Sequence, residues 1–425
     1  MKLVKLSLIA VITAGSMSVA NAVALDEAIQ NVDLLGMLRY RYEGISEKNS
    51  LKDKSTKDTI QLHGYKAQLK FTSDIADNFK ATALFQYSNQ DASFALNKPG
   101  LTPSNEALRD KVENNINTSK TFNIRDAYLT YTNYDTSFMF GRMEIGSIWT
   151  DDLLGTGLKI VNNSIENVTL AAYAFDNYNK DSDLGVIATK NDDDSIKSVS
   201  GKNIYGIAAI ANFDPVAAEL WVANMASWGT LYAVDFNVNL GDKDDFAYNI
   251  HAQYAGNNLK KDRKDLLKKA TGDEVANGNF YAIEAGFEAF GLDFNIGYAG
   301  YGKKDKATIN TIEDSGKLIN YGEYAMKDYQ TGAVGKKDFV FGTIGYTFED
   351  VRFGVDIING TNKIKNGDKT DKEKLFEVKP QLSYKYSDKL NFSAFYAYGK
   401  TKNYEGIEDC KKDEKLIRFE AKYTF

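Results

Sequence analysis

Residues 416–425 read LIRFEAKYTF. Ile417, Phe419, Ala421, Tyr423 and Phe425 share one parity, and Arg418, Glu420, Lys422 and Thr424 share the other. Alternate residues of a strand face opposite sides of a sheet, so this segment has one oily and one wet face. The scheme recurs upstream. Leu390, Phe392, Ala394, Tyr396 and Tyr398 oppose Asn391 and Ser393; Tyr232, Val234, Phe236, Val238 and Leu240 oppose Asp235, Asn237 and Asn239.

A soluble sandwich would alternate in the same way, but two features favour a membrane barrel. The apolar faces end in Tyr and Phe, as in aromatic girdles at membrane interfaces. The connections also alternate between short and long. Short ones include residues 74–78, 133–137, 213–215, 290–291 and 387–389. Long polar ones cover roughly 45–59, 91–119, 144–157, 176–202, 258–278, 303–337, 361–374 and 401–414. Loops of that length are hard to place in a compact soluble domain. The expected architecture is an all-β, transmembrane antiparallel barrel of 18 strands, with short periplasmic turns and long extracellular loops. Reading through the break at Trp228-Gly229, or losing one hairpin, would give 16. Either count leaves a water-filled lumen, because ~16–18 strands enclose more space than side chains fill.

Composition fits an exported barrel. Residues 1–22 carry Lys2 and Lys5, an apolar run from Leu6 to Ala14, and Ala20-Asn21-Ala22 as a cleavage site. This predicts a secretory signal peptide, with residues 23–425 forming the barrel. Removing the two lysines leaves a net charge of about −8. The single cysteine, Cys410, rules out an intramolecular disulfide scaffold. No later stretch is apolar enough for a membrane helix, so a membrane-spanning form must be a closed barrel. The mixed-sign runs at 259–268 and 362–374 read as solvated loops, with no nucleic-acid partner expected.

Several blocks resemble the major outer membrane protein porins of Campylobacter. They are DEAIQNVDLLGMLRYRY (26–42), IADNFKA (75–81), AYLTYTN (127–133), IWTD (148–151), GTGLKIVNNSIENVTLAAYAFD (155–176), ANGNFYAIE (276–284) and KLNFSAFYAY (389–398). They occur in family order along the whole mature chain. The resemblance implies an 18-stranded homotrimeric general porin in outer-membrane lipid, exposed as a surface antigen. It passes ions and small hydrophilic solutes by passive diffusion. An adhesive or structural barrel, acting through its exposed loops, is the alternative.

Enzymatic readings find little material. Gly155-Thr156-Gly157 lacks the third glycine and the helix of a dinucleotide fingerprint. His63 and His251 lie on separate predicted strands without a serine motif, so no catalytic residues are expected. In trimeric porins the third loop, here 142–157, folds inward and constricts the pore. Glu144, Asp151 and Asp152 would form its acidic side. The wet faces of the first, second and last strands would supply a basic wall of Arg39, Arg41, Lys66, Lys70, Arg418 and Lys422. Such a transverse field would filter by size and polarity, and the acidic groups would give a weak cation preference. No cofactor is required, although Asp151 and Asp152 offer oxygen ligands suited to calcium, which the family resemblance also associates with the constriction. The aromatic Phe425 resembles the terminal signal read by the outer-membrane assembly machinery.

Overall fold

The computed structural model describes residues 32–51, 54–92, 122–179, 189–190, 196–197, 203–226, 228–242, 245–326, 334–404 and 407–425. The signal segment, residues 23–31 and most of the 91–119 and 176–202 connections lie outside these residues.

Eighteen strands form one antiparallel sheet: β1 (Asp33–Leu51), β2 (Lys54–Ala76), β3 (Phe79–Ala92), β4 (Phe122–Asn133), β5 (Thr136–Glu144), β6 (Leu154–Ile165), β7 (Val168–Asn179), β8 (Ile204–Phe213), β9 (Val216–Met225), β10 (Gly229–Asp242), β11 (Phe246–Leu259), β12 (Asn279–Ala289), β13 (Leu292–Ala307), β14 (Val334–Phe348), β15 (Val351–Asn366), β16 (Lys369–Lys385), β17 (Leu390–Lys402) and β18 (Cys410–Thr424). Each strand pairs with its sequence neighbour, and β18 pairs with β1, from Met37 opposite Thr424 to Leu51 opposite Cys410. Closure leaves no sheet edge and satisfies the backbone within the sheet, as hydrocarbon surroundings require. The break before Gly229 is real, which gives 18 strands rather than 16.

Closure is completed by the C-terminal residue. Gly36 and Phe425 exchange backbone hydrogen bonds of 2.7 and 3.0 Å. The Phe425 ring lies over Gly36, in space that any Cβ would occupy.

The outer face carries the expected oily parity: Leu38, Tyr65, Leu69, Ile207, Leu220, Ile283, Ile344 and Ile417 are exposed. Aromatic rings mark its two borders. Towards the loops, Tyr40 meets Tyr65 at 5.6 Å and Tyr232 meets Tyr254 at 6.2 Å. Towards the turns, Phe79 meets Tyr131 at 4.7 Å, and Phe246 stacks on Phe287 at 5.7 Å. The order matches a bilayer-spanning band between two girdles. His63 belongs to the loop-side border, where its Nδ1 lies 2.8 Å from the Tyr40 hydroxyl.

Two predicted long loops are instead strand. The β1–β2 ladder continues to Leu51 opposite Lys54, and the β15–β16 ladder to Asn366 opposite Lys369. Beyond the bilayer a strand needs no oily face, so polar sequence on both sides still pairs through its backbone. Among the described residues one helix, α1 (Lys261–Thr271), stands in the β11–β12 connection and ends at Gly272 in the left-handed region, φ 84°.

The apolar core lies inside the barrel, against one sector of its wall. Tyr173, Phe175, Ile204, Ile210, Trp221, Met225, Phe280 and Phe339 are buried there. Strands β7 to β9 are therefore apolar on both faces over most of their length. The inner face is covered by two connections, loop 3 (residues 145–153) and loop 7 (residues 308–333, described to 326). Ile148 and Trp149 of loop 3 and Ile309, Leu318, Ile319 and Met326 of loop 7 join the same cluster.

Candidate functional site: the constriction

Loop 3 is shorter than the sequence suggested. β5 continues through Glu144 and β6 begins at Leu154, so the connection is 145–153 rather than 142–157. Gly155 and Gly157 are strand residues: Gly155 leaves room for the Phe175 ring, and Gly157 sits against the Ala174 backbone. Within the loop the Ser147 amide donates to Thr150 Oγ1 (3.1 Å), and Thr150 Oγ1 donates back to the Ser147 carbonyl. The Ile145 amide donates to the Leu153 carbonyl and closes the loop base. Trp149 is fully buried, and its ring meets Trp221 edge-on at 6.4 Å.

Loop 7 was expected as an outer loop, but it lies in the lumen. Its backbone docks on loop 3: Ile312 and Glu313 amides donate to the Trp149 carbonyl, and the Lys317 amide donates to that of Ile148. Gly316 makes this approach possible. Its φ is +56°, and a Cβ there would fall 2.5 Å from the Ile148 carbonyl oxygen and 2.8 Å from Trp149 C. Gly316→Val should therefore force the two loops apart. The expected cost is about 1–3 kcal/mol of stability, from combined left-handed strain and overpacking. A lower melting temperature with a larger single-channel conductance is the expected pair of readings.

From loop 3 the chain returns across inward-facing side chains of the wall. Gln253 Oε1 accepts from the Ile319 amide (2.7 Å). The Tyr321 hydroxyl donates to Glu284 Oε2 (2.7 Å), and its ring stacks on Phe341 at 4.7 Å. Lys379 Nζ donates to the Tyr321 carbonyl (3.0 Å). Glu323 then approaches Lys379 (3.7 Å) and Arg418 (3.9 Å). His251 is part of the supporting network, with Nε2 2.9 Å from Asp235 and Nδ1 3.1 Å from Glu284. Loop 7 had a readable signal in TINTIEDSGKLINYGEYAM (308–326), which holds too many Ile, Leu, Tyr and Met residues for a solvated loop. The double-faced apolar strands AAYAF (171–175) and IAAIA (207–211) were the matching receptor.

The predicted acidic residues do gather at the loop 3 base, around a cation the sequence reading omitted. Arg125 on β4 is buried, with Nη2 2.6 Å from Glu144 Oε1 and 3.8 Å from Asp152 Oδ2, and Nη1 3.5 Å from Asp126. Lys159 Nζ donates to the Glu144 carbonyl (2.6 Å). Asp151 pairs with Lys317 of loop 7 at 3.5 Å. The Asp151 and Asp152 side chains stay 62% and 44% accessible, so both remain in contact with lumen water. Each carboxylate already faces a cation, and among the described residues no three acidic, His or Cys groups form a metal-holding cluster.

The six basic wall residues share the inward face. Arg39 stands opposite both Lys66 and Lys422 in the ladder, and Lys70 lies two inward positions along β2. The wall is not purely basic. Arg41 is 2.6 Å from Glu420, and Arg418 is 2.7 Å from Glu43. Two carboxylates thus interleave six cations and weaken the positive side of the field.

A closed, girdled barrel whose lumen is narrowed by inward loops and lined by charge defines an outer-membrane porin. Solved structures agree on this fold: Pseudomonas aeruginosa OccK9 (OpdG) superposes with a TM-score of 0.65 at 10% identity, covering 92% of this chain and 99% of that one. Acinetobacter baumannii OccAB4 gives 0.62 at 11% identity, covering 92% and 98%. Pseudomonas aeruginosa OpdQ gives 0.63 at 11% identity, again covering 92% and 98%. No curated protein matches the sequence. The profile described as Campylobacter major outer membrane protein matches residues 1–425, and the chain belongs to that family. It is an outer-membrane diffusion channel; the family and the fold's neighbours are channels rather than enzymes.

Proposed function

We propose that this general porin passes ions and small hydrophilic solutes with a weak cation preference, set at the eyelet where the docked loops 3 and 7 face the charged wall. The observation that carries the preference is the exposure of Asp151 and Asp152 to lumen water beside buried Arg125. Glu323 extends the acidic side along loop 7. Fixed acidic groups in a narrow passage raise the local concentration of cations. The opposing wall is partly neutralised by Glu43 and Glu420, so anions gain less than six cations would give them. The preference stays weak because Lys317 and Arg125 offset part of the acidic field.

Replacing both groups, Asp151→Asn with Asp152→Asn, should move the reversal potential under a salt gradient toward zero. An unchanged potential would remove these carboxylates from the selectivity mechanism. The reading also includes a homotrimer and a role for Phe425 in recognition by the assembly machinery. The second is supported by an aromatic terminus whose ring is accessible on the outer face beside the β1–β18 seam.

A further inference from the structure

The loop-side border of the outer face is unevenly charged. On β16 the side chains alternate: Lys372, Lys374 and Phe376 are exposed, while Glu373, Leu375 and Glu377 are buried within the barrel. Exposed Val340 on β14, Ile357 on β15, Tyr396 on β17 and Ile417 on β18 fix the outward parity of the neighbouring strands. The register then lines lysines up across the sheet. Lys336 of β14 stands opposite Lys363 of β15, which stands opposite Lys372 of β16. A second row runs from Lys374 of β16 to Lys402 of β17 and on to Lys411 of β18. On β9 to β12 the same border is uncharged, with Asn224, Thr230, Asn258 and Asn279 in the outward positions.

Like charges directly opposite each other destabilise a strand pair, so these rows need an anion. The first row has a partial answer. Asp338 is 3.7 Å from Lys336 and 3.4 Å from Lys363, and it also accepts from the Tyr298 hydroxyl (2.8 Å). The second row has none among the described residues. Asp413, on the outward parity of β18, accepts from the Tyr398 hydroxyl (2.8 Å), while Glu414 and Asp371 pair with Lys412 and Lys369. Both rows lie just above the aromatic border. Phe376 is one outward step below Lys374, and Lys415 Nζ lies over the Tyr398 ring at 6.0 Å. Side chains at that level enter the headgroup layer.

We propose that the outward lysine rows of β14 to β18 are a docking surface for the phosphate-bearing headgroups of outer-leaflet lipid. A phosphate set between two lysines of a row cancels their repulsion. A headgroup with two phosphates can bridge successive lysines, which the strand spacing sets about 4.8 Å apart at the backbone. The lysine stems lie along the apolar surface and the ammonium groups reach the headgroups. The face is continuous with the lipid-contacting band and turned away from the lumen, so its occupant is lipid rather than a permeating solute.

The test is binding of labelled diphosphoryl lipid A by the full protein, reconstituted in phosphatidylcholine vesicles. Wild type should bind this probe and unfold at a higher temperature in its presence; lipid A stripped of its phosphates should do neither. Lys374→Gln with Lys402→Gln and Lys411→Gln should weaken binding by about ten-fold or more. Without the probe that variant should be at least as stable as wild type, because the opposed charges are gone. Lys363→Gln with Lys372→Gln reads the first row in the same way if the triple variant does not assemble. Lys261→Gln with Lys269→Gln and Lys304→Gln removes as much charge from exposed lysines outside the rows, and should leave binding unchanged. Unchanged binding in the row variants, or equal loss in the control, would overturn the proposal. So would equal binding of soluble tripolyphosphate, which would give the surface to soluble anions. Loss of the oligomer in the row variant without probe would make the rows a contact between copies and overturn it as well. None of these readouts depends on ion selectivity, so failure of the proposed cation preference is seen separately.

Discussion

Trp149→Ala is expected to lower barrel stability by about 3–5 kcal/mol, the usual range for emptying a buried tryptophan site. Trp149 is fully buried, lies edge-on to Trp221, and supplies the carbonyl that receives the Ile312 and Glu313 amides. Losing the ring leaves a void between loop 3 and the inner wall, which β-strands cannot collapse to fill. The backbone around it also loses its seat, so loop 7 loses its landing site. Thermal unfolding followed by heat-modifiable migration should report the stability change, and bilayer recordings should show noisier, larger steps.

Replacing residues 309–326 and the rest of loop 7 by a short Gly-Ser link between Ala307 and Val334 should have the largest effect on transport. The loop crosses from the Asn257 contact on β11 to loop 3, then to Glu377 on β16 and Arg418 on β18. Its removal returns the lumen to the width of an 18-stranded barrel, which side chains alone do not fill. Conductance should rise several-fold and discrimination among uncharged sugars by size should relax. Stability should fall as well, because Phe339, Phe341 and Ile358 lose the cover of Leu318, Ile319 and Met326. Conductance equal to wild type would mean that another segment sets the aperture.

The barrel was legible because lipid imposes a simple rule on sequence. Ile417, Phe419 and Tyr423 must face out, and that leaves Arg418, Glu420 and Lys422 no choice but the lumen. The same logic assigned Arg39, Arg41, Lys66 and Lys70 to the inner face, and the ladder sets Arg39 opposite Lys66 and Lys422. It failed where a strand has no wet face. Along β7 to β9 both parities are apolar, and the alternation test is silent about what covers the inner side. Loop 7 was missed for a related reason: charge and glycine in EDSGK (313–317) read as a solvated loop, although Ile312, Leu318 and Ile319 flank it. Arg125 was invisible because its role depends on three carboxylates from β4, β5 and loop 3 that only folding assembles. The partners of Asp151 and Asp152, Lys317 and Arg125, were hidden likewise, because one comes from loop 7 and the other from β4. The extended β1–β2 and β15–β16 hairpins show the converse case, where backbone pairing persists after the membrane's demand on side chains has ended.

This barrel encloses an open, water-filled path whose narrowest part lies between the docked loops 3 and 7 and the charged wall that faces them. Conductance of the purified protein in a planar bilayer, compared with the loop 7 exchange variant, tests it most directly. Discrete open steps with a near-linear current–voltage relation, enlarged several-fold in the variant, are the predicted result. A purified, folded barrel that shows no open steps would contradict it.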